Sequence, residues 1–190
     1  MTLTNNKVSI QVKLGGRSFS AQDISVAENV EHIEVVIDTP RVTLAPRENV
    51  TLDTAAELLR IVGKPTLFNE QSVCSELQAD IIAVMAIECS ALASIVEQWG
   101  SRASFTSPLL DMRHSDEKCL TIDATNAVCY MRHFDNGLQR AEAYTISTAD
   151  DVLYLATEWL HDEKATPIYI KGSKEIAKLL RKYFKKVVCE

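Results

Sequence analysis

The stretch KCLTIDATNAVCYMRHFDNGLQRAEAYTI, residues 118–146, decides the fold, because it contains three short strand-like segments in immediate succession. Polar and apolar residues alternate in each segment, as in half-buried strands, and the segments are residues 118–123, 127–134 and 138–146. The pairs Thr125-Asn126 and Asn136-Gly137 separate them, and these residue types favour tight turns. The stretch therefore predicts three consecutive strands joined by short turns.

The residues that follow predict a helix, a strand and a second helix. Ser147 or Thr148 is a candidate N-cap for a helix with one apolar stripe, formed by Val152, Leu155, Ala156, Trp159 and Leu160. The apolar strand 167–170 comes next, and Gly172-Ser173 opens the last helix. That helix is predicted over residues 174–184, and we expect it to bury Ile176, Leu179, Leu180 and Tyr183 against the sheet. The resulting order, βββαβα, is that of the ribonuclease-H-like core, which actin-like and sugar-kinase-like ATPases share.

The first half is predicted to contain the same kinds of element. Residues 7–24 alternate like a hairpin with Gly15-Gly16 at its turn, and residues 32–37 and 42–44 form two further extended segments. These segments predict a strand-rich start to the chain.

A helix and an ambiguous apolar run complete the first half. The helix carries Leu58 and Leu59 and ends at Gly63. Periodicity alone does not assign the apolar residues 79–88 to a strand or a helix, since the run is short. We favour a strand followed by a helix that ends at Gly100, which gives the first half a βββαβ order followed by a helix.

Length and composition fit this duplicated layout. The chain has 190 residues, of which 46% are hydrophobic and 24% charged, an ordinary globular composition. We therefore expect an α/β fold of two ribonuclease-H-like lobes with mixed sheets flanked by helices. The predicted lobes are a reduced N-terminal lobe, residues 1–114, and a C-terminal lobe, residues 115–190, with a cleft between them.

The net charge of -6 argues against a general nucleic-acid binder, because affinity for phosphate backbones depends on concentrated cations. Residues 171–186 are the exception. They contain seven cationic side chains and one acid, Glu175, so their local charge is +6 and the remainder of the chain carries -12. We interpret this basic face as a solvated helix surface. The alternatives are an adaptor surface for an acidic partner, a nucleic acid or a membrane, or pairing with the acidic remainder of a second copy.

Location is predicted from what the sequence lacks. Residues 1–6 show no basic cluster or apolar segment of a secretory signal, and the longest strongly apolar run, residues 81–87, is far shorter than the roughly 20 residues of a membrane span. The five cysteines include no Cys-x-x-Cys pair and fit reduced cytosolic thiols. We therefore expect a cytoplasmic protein with no membrane span.

Four segments carry a family resemblance: VSIQVKLGGRSFS at 8–20, VTLAP at 42–46, DDVLY at 150–154 and IYIKGS at 168–173. They occur in the order found in the uncharacterised DUF3822 family of Bacteroidetes, which the whole chain resembles. Members of that family resemble actin-like ATPases in fold. The resemblance implies a two-lobed ribonuclease-H-like fold and no established activity.

Actin-like ATPases bind nucleotide through two glycine-containing hairpin turns, each with an Asp that helps to hold hydrated magnesium. Glycine is needed there because phosphate approaches the backbone closely. This chain departs from that pattern at each position. The first turn has Gly15 and Gly16 without a preceding Asp, and the second keeps Asp123 but has Thr125 and Ala127 in place of glycines. The adenosine-side glycine pair appears as Lys171-Gly172.

The candidate cofactor-binding residues for ATP and magnesium are therefore Asp123, Gly172, Gly15 and Gly16. For Asp123 we favour the interpretation that it caps its own turn over a magnesium role. A nuclease is excluded, because the fourth strand of the predicted core carries no acid.

No catalytic residues and no metal ligands are predicted, since the four histidines 32, 114, 133 and 161 are scattered without ligand spacing. We therefore expect a binding or scaffolding protein, not an enzyme, with no cofactor and a protein partner. The alternatives are an ATP-binding protein with weak or no hydrolysis and the basic-helix adaptor.

Overall fold

The computed structural model describes residues 7–13, 30–124 and 127–190 of the chain. The chain divides into two compact units, residues 1–110 and 111–190. Of the helices in the described ranges, none is both long enough and apolar enough to cross a membrane.

The first unit contains six strands and two α-helices among its described residues. In chain order they are β1 Lys7–Lys13, β2 His32–Asp38, β3 Val42–Pro46, α1 Ala55–Ile61, β4 Glu70–Cys74, β5 Ile81–Glu88, α2 Cys89–Trp99 and β6 Ala103–Thr106.

One sheet of this unit is parallel and has the order β1-β2-β6. Alternate residues of the central strand β2 are buried, namely Ile33, Val35 and Ile37, so this strand anchors the sheet in the core. The turn residues Gly15 and Gly16, and the strand predicted to follow them, lie outside the described residues.

The other sheet is antiparallel, with β5 between β3 and β4. Residues 82–87 of β5 are all buried, which explains the uninterrupted apolar run in the sequence. Ala55 and Leu59 of α1 pack in the same core. The predicted strand at 79–88 is confirmed, and so is the following helix, which ends at Gly100 with a φ of +53°.

The first unit nevertheless differs from the prediction that it repeats the strand and helix arrangement of the second half. Its strands are divided between two sheets, and β5 pairs antiparallel with β3 and β4 instead of joining β1 and β2. Strand β4 was not predicted, because Val73 is its one buried apolar side chain and its sequence therefore shows little alternation. Periodicity identifies a strand but does not identify the strand it pairs with.

The second unit contains five strands and two α-helices in its described part. They are β7 Cys119–Ala124, β8 Val128–Phe134, β9 Leu138–Thr145, α3 Ala149–Leu160, β10 Ile168–Gly172, α4 Lys174–Leu180 and β11 Val187–Cys189.

These strands form one mixed sheet in the order β11-β10-β7-β8-β9. β7, β8 and β9 form an antiparallel meander, whereas β10 runs parallel to β7 and β11 runs parallel to β10. The predicted order βββαβα is confirmed, and β11 is an additional short edge strand. The opposite edge of the sheet is β9.

The two helices of this unit cover one face of the sheet. Alternate apolar residues of β7 and β10 point into the core beneath them: Leu120, Ile122, Ile168 and Ile170. Val152, Ala156 and Leu160 of α3 pack there, as their helical spacing predicts. Because side chains alternate across a strand, Thr121, Asp123, Tyr169 and Lys171 lie on the other face.

The last helix is shorter than the predicted span 174–184. It ends at Leu180, and a tight turn follows in which the Tyr183 amide donates to the Leu180 carbonyl oxygen at 3.0 Å. The turn leaves the Tyr183 side chain 53% exposed and directs Phe184 into the core instead. The expectation that Tyr183 packs against the sheet was wrong.

The N-cap of α3 generates a stability prediction. The Thr148 hydroxyl accepts a hydrogen bond from the Asp151 amide at 3.2 Å, so Thr148→Ala leaves that amide without its partner. We expect a loss of about 1 kcal/mol in the free energy of unfolding, measured by urea denaturation. The control is Thr157→Ala on the same helix, where the exposed hydroxyl donates to the Leu153 carbonyl and alanine is the better helix former. An equal loss in both variants would contradict the capping role.

Candidate functional site

A pocket lies where the nucleotide-binding turns of this fold would be sought, at the carboxyl ends of the second unit's central strands. We call it the strand-end pocket. Its volume is about 470 Å³, and it is lined by Ala124 at the end of β7, by Thr148 before α3, and by Ser173 and Glu175 at the start of α4. This volume falls in the range of small-molecule sites, about 300–1,000 Å³.

The helix starts at this pocket are satisfied by the protein's own side chains. Asp151 Oδ2 accepts hydrogen bonds from the amides of Ser147 at 2.7 Å and Thr148 at 2.8 Å, and the Thr148 hydroxyl accepts from the Asp151 amide. These backbone hydrogen bonds lower the pKa of Asp151 below its ordinary value. At α4, the Ser173 hydroxyl accepts from the Ile176 amide at 3.2 Å. The amides of Ser147, Thr148, Asp151 and Ile176 are therefore already bonded to side chains of the protein and are not available to an external phosphate.

The electrostatics of the strand-end pocket also disfavour a phosphate chain. Of the described residues that line it, Glu175 alone carries a charge, and that charge is negative. Asp150 and Asp151 add two more carboxylates in the first turn of α3. A triphosphate would meet like charge there without a lining Lys or Arg to offset it.

Gly172 has a structural reason to be glycine. It pairs with Ala124 at the end of the β7–β10 ladder. A Cβ atom built on Gly172 would lie 2.8 Å from the Ala124 carbonyl oxygen, a backbone atom that cannot move aside cheaply. The position therefore requires glycine for the close approach of two strands, whether or not a ligand binds nearby.

Asp123 lies on the sheet face opposite the helices and forms an ion pair with its neighbour on β10. The Lys171 ammonium donates to Asp123 Oδ2 at 3.1 Å, and Lys171 stands opposite Asp123 in the ladder register. The Asp123 side chain is 11% exposed and that of Lys171 is 56% exposed. Lys171 thus compensates the charge that a magnesium ion would otherwise have to balance.

Further charged residues surround this pair. Together with the pair they form what we call the polar-face cluster: Asp111, Arg113, His114, Asp123, Arg132, Lys171 and Glu190. Arg132 is only 4% exposed, and its Nε donates to the Thr121 hydroxyl at 2.8 Å. Burial lowers the pKa of the Arg132 guanidinium, and Asp111 and Asp123 oppose that effect. The cavity among these side chains has a volume of about 10 Å³, comparable to a single water site and far too small for a nucleotide.

One end of the polar-face cluster is organised around His114. Its Nε2 lies 2.7 Å from Glu190 Oε1, its Nδ1 lies 3.2 Å from Glu117 Oε1, and its ring stacks on Tyr169 with centroids 4.0 Å apart. Partial burial lowers the pKa of His114, but the hydrogen bonds with Glu190 and Glu117 outweigh it, so the pKa stands above its ordinary value. The nearby thiol of Cys119 is fully buried, and burial raises its pKa to about 11.

The predicted site residues are thus only partly brought together. Asp123 and Gly172 lie on adjacent strands, but Asp123 belongs to the polar-face cluster whereas Gly172 closes the ladder beside the strand-end pocket. Gly15 and Gly16 lie outside the described residues. The group around His114 was not predicted from the sequence. The short spacing from His114 to Glu117 and Cys119 is the sequence feature that could have indicated this group. Glu190 lies far away in the sequence, so its position beside His114 could not be predicted.

Comparisons with known proteins identify the fold. A protein of unknown function from Bacteroides thetaiotaomicron, described as having an actin-like ATPase fold, matches with a TM-score of 0.70 and 17% identity. The match covers 85% of this chain and 69% of that chain. This chain has the actin-like ATPase fold.

Two further solved structures match with lower TM-scores. The AlfA filament bound to AMPPNP matches at 0.40 with 13% identity, covering 84% of this chain and 52% of that one. The cytoplasmic domain of EpsL, an inner membrane component of the type II secretion system of Vibrio cholerae, matches at 0.47 with 9% identity, covering 97% and 85%. No protein-family model matches the sequence, and no curated protein matches it.

The polar-face cluster generates a prediction for the pH dependence of stability. Burial raises the pKa of Asp111, but hydrogen bonds from Arg113, at 2.9 Å to Oδ1 and 2.6 Å to Oδ2, outweigh it and the pKa lies below its ordinary value of 3.8. The carboxylate therefore stabilises the fold at pH values above its ordinary pKa, and this contribution is lost as the pH falls through the lower folded value. Asp111→Asn should reduce stability near neutral pH, and the difference from the wild type should shrink below about pH 4.

Thermal unfolding at several pH values measures this difference. Asp116→Asn, an exposed substitution five residues along the chain, is the control and should show no such convergence. A destabilisation by Asp111→Asn that stays constant through the acid range would contradict the ion-pair explanation.

Proposed function

We propose that this protein is a binding or scaffolding protein that keeps the actin-like ATPase fold and does not use it for nucleotide hydrolysis. The observation that supports this most directly is that the Asp151 carboxylate accepts hydrogen bonds from the amides of Ser147 and Thr148, just before α3. An anion seated there would have to displace a side chain that is already charged, already bonded and covalently attached. The bonded amides of Ser147, Thr148 and Asp151 support a fold that is retained without phosphate binding at this helix start.

The state of Asp123 supports the same proposal. Magnesium in a nucleotide site is held by carboxylates together with the phosphates of the ligand. Here Asp123 is compensated by Lys171, so a metal would have to displace that ammonium. A lysine that pairs with a carboxylate makes the site neutral without a ligand.

We further propose that the chain is a member of the DUF3822 family, that its two units are the two lobes of this fold, and that it acts in the cytoplasm. All five cysteines are unpaired, which fits a reducing compartment. For a protein partner we adopt the alternative to a solvated helix surface, namely that the basic face contacts an acidic partner through its exposed cations: Lys174, Lys178, Arg181, Lys182, Lys185 and Lys186. They suit an acidic protein surface. Binding to DNA or anionic vesicles that falls steeply with salt would support the adaptor alternative instead.

The second candidate is an ATP-binding protein with weak or no hydrolysis. Two observations favour it: the strand-end pocket has a volume of about 470 Å³, and Asp123 lies one residue before Ala124, which lines that pocket. In this alternative Asp123 would exchange Lys171 for magnesium, and Gly172 would keep the adenosine side open.

Thermal unfolding with and without Mg·ATP separates the two candidates. The proposal predicts no change in melting temperature at millimolar Mg·ATP, whereas a ligand present at 100 times its Kd would stabilise the fold by about 2.7 kcal/mol. The second candidate predicts a shift that Asp123→Asn removes and Asp116→Asn leaves intact. Observing that pattern would overturn the proposal in favour of the second candidate, because it would show nucleotide binding that depends on Asp123. A shift that both variants retain would place a ligand away from Asp123 and also count against it.

A further inference from the structure

Three residues at the His114 end of the polar-face cluster have the composition of a metal centre. One ring nitrogen of His114, one carboxylate oxygen of Glu117 and the Sγ atom of Cys119 all lie within 4.8 Å of one another. We propose that these three residues bind a zinc ion, with a fourth coordination position left open for water or an external ligand. This site is independent of the strand-end pocket, and its test does not depend on whether nucleotide binds.

The donor set determines the class of metal. A thiolate, an imidazole and a carboxylate together suit Zn²⁺, whereas Mg²⁺ and Ca²⁺ prefer all-oxygen sites. With a neutral imidazole, the charge of Zn²⁺ is balanced by the Glu117 carboxylate and the Cys119 thiolate, so the centre is electrically neutral. Neutrality matters because Cys119 is fully buried, and an uncompensated charge beside it would be costly.

The surrounding residues already hold two of these ligands in place. The His114 Nε2 faces Glu190 at 2.7 Å, which leaves Nδ1, on the Glu117 side, as the coordinating nitrogen. A histidine that binds metal through one nitrogen commonly donates from the other to a carboxylate, which fixes the tautomer and orients the ring. Glu190 stands in that position, and Arg113 pairs with the other oxygen of Glu190 at 3.2 Å.

Tyr169 supports the other side of the site. Its hydroxyl donates to Glu117 Oε2 at 2.7 Å, which leaves Oε1 directed toward His114. Its ring also stacks on the imidazole, at 4.0 Å between centroids. One strand residue therefore orients two of the three ligands, and it lies on β10, a rigid element of the sheet.

Closing the site requires only a small movement. Ligand atoms around tetrahedral zinc lie about 3.5 Å apart, given bond lengths of about 2.0–2.3 Å. The Glu117 side chain is 48% exposed, so close packing does not prevent it from moving inward by the remaining ångström or so. On binding, the thiol proton of Cys119 and any proton on Nδ1 of His114 leave to solvent as the metal bonds form.

The competing explanation is a charged cluster in which a protonated His114 simply bridges Glu117 and Glu190. That explanation accounts for the two ion pairs and leaves the Cys119 thiol as a donor to the His114 carbonyl oxygen at 4.0 Å, without a metal bond. The two explanations differ in one property that can be measured directly, namely whether Cys119 binds a metal as thiolate.

Cobalt titration of the reduced, metal-free full chain tests this difference. Co²⁺ bound to a thiolate absorbs in the near ultraviolet, and tetrahedral Co²⁺ absorbs strongly in the visible. We expect both bands to saturate at one equivalent and to disappear when Zn²⁺ is added. Cys119→Ser should abolish the thiolate band, and Glu190→Gln should weaken binding about 10- to 100-fold without removing that band.

The control variants are Cys89→Ser and Cys189→Ser, which replace exposed cysteines and should leave the cobalt spectrum unchanged. If Cys119→Ser fails to fold, His114→Gln decides, since it should lower cobalt affinity while circular dichroism confirms the fold. Absence of a thiolate band in the wild type would overturn the proposal. Its persistence in folded Cys119→Ser, or in His114→Gln at undiminished affinity, would do the same.

Discussion

The parallel pairing of β7 with β10 is the contact on which the second unit depends. The ladder runs to Gly172 opposite Ala124, where an added Cβ would lie 2.8 Å from a carbonyl oxygen. Because Gly172 carries no side chain, the two strands stay paired to their ends and Ser173 can begin α4 at once. The same register aligns Ile170 with Ile122 in the core and Lys171 with Asp123 on the opposite face. The pairing of β7 with β10 therefore fixes which residues meet in the core and which meet on the charged face.

The starts of α3 and α4 show how a protein's own side chains can bond the amides at a helix start. In a phosphate-binding protein, free amides and the helix dipole attract an anion. Here Asp151 provides the anion from within the chain, and Glu175 adds a second carboxylate at the neighbouring helix. This arrangement stabilises the helix start without a ligand, and it also leaves the strand-end pocket negatively charged. A capping side chain and a bound phosphate would both accept hydrogen bonds from the same backbone amides. A residue such as Asp151 that bonds these amides therefore increases the stability of the helix and lowers its affinity for phosphate.

Much of the second unit could be predicted from the sequence, because its signals are local. Alternation in the meander, the cap at Thr148 and the stripe on α3 each involve residues close together in the chain. The pairing of β5 with β3 and β4 could not be predicted, since a buried apolar strand gives no indication of its neighbours.

The same limit applied to the candidate site. Asp123 and Gly172 were predicted as candidates from the sequence pattern, but the Asp123–Lys171 ion pair depends on strand register. The arrangement around His114 also required the C-terminal residue Glu190 to fold back beside it, a contact spanning 76 positions in the chain. Neither long-range contact leaves a periodic trace in the sequence.

The two edges of the mixed sheet have a consequence for how this unit behaves at high concentration. β9, at one edge, carries the charged pair Arg140 and Glu142, with the Arg140 guanidinium lying 4.2 Å from the centre of the Trp159 ring. β11, at the other edge, is only three residues long. Charge and brevity are the features that keep edge strands from recruiting strands of other molecules. The pairing of β9 or β11 with an edge strand of another molecule is therefore disfavoured.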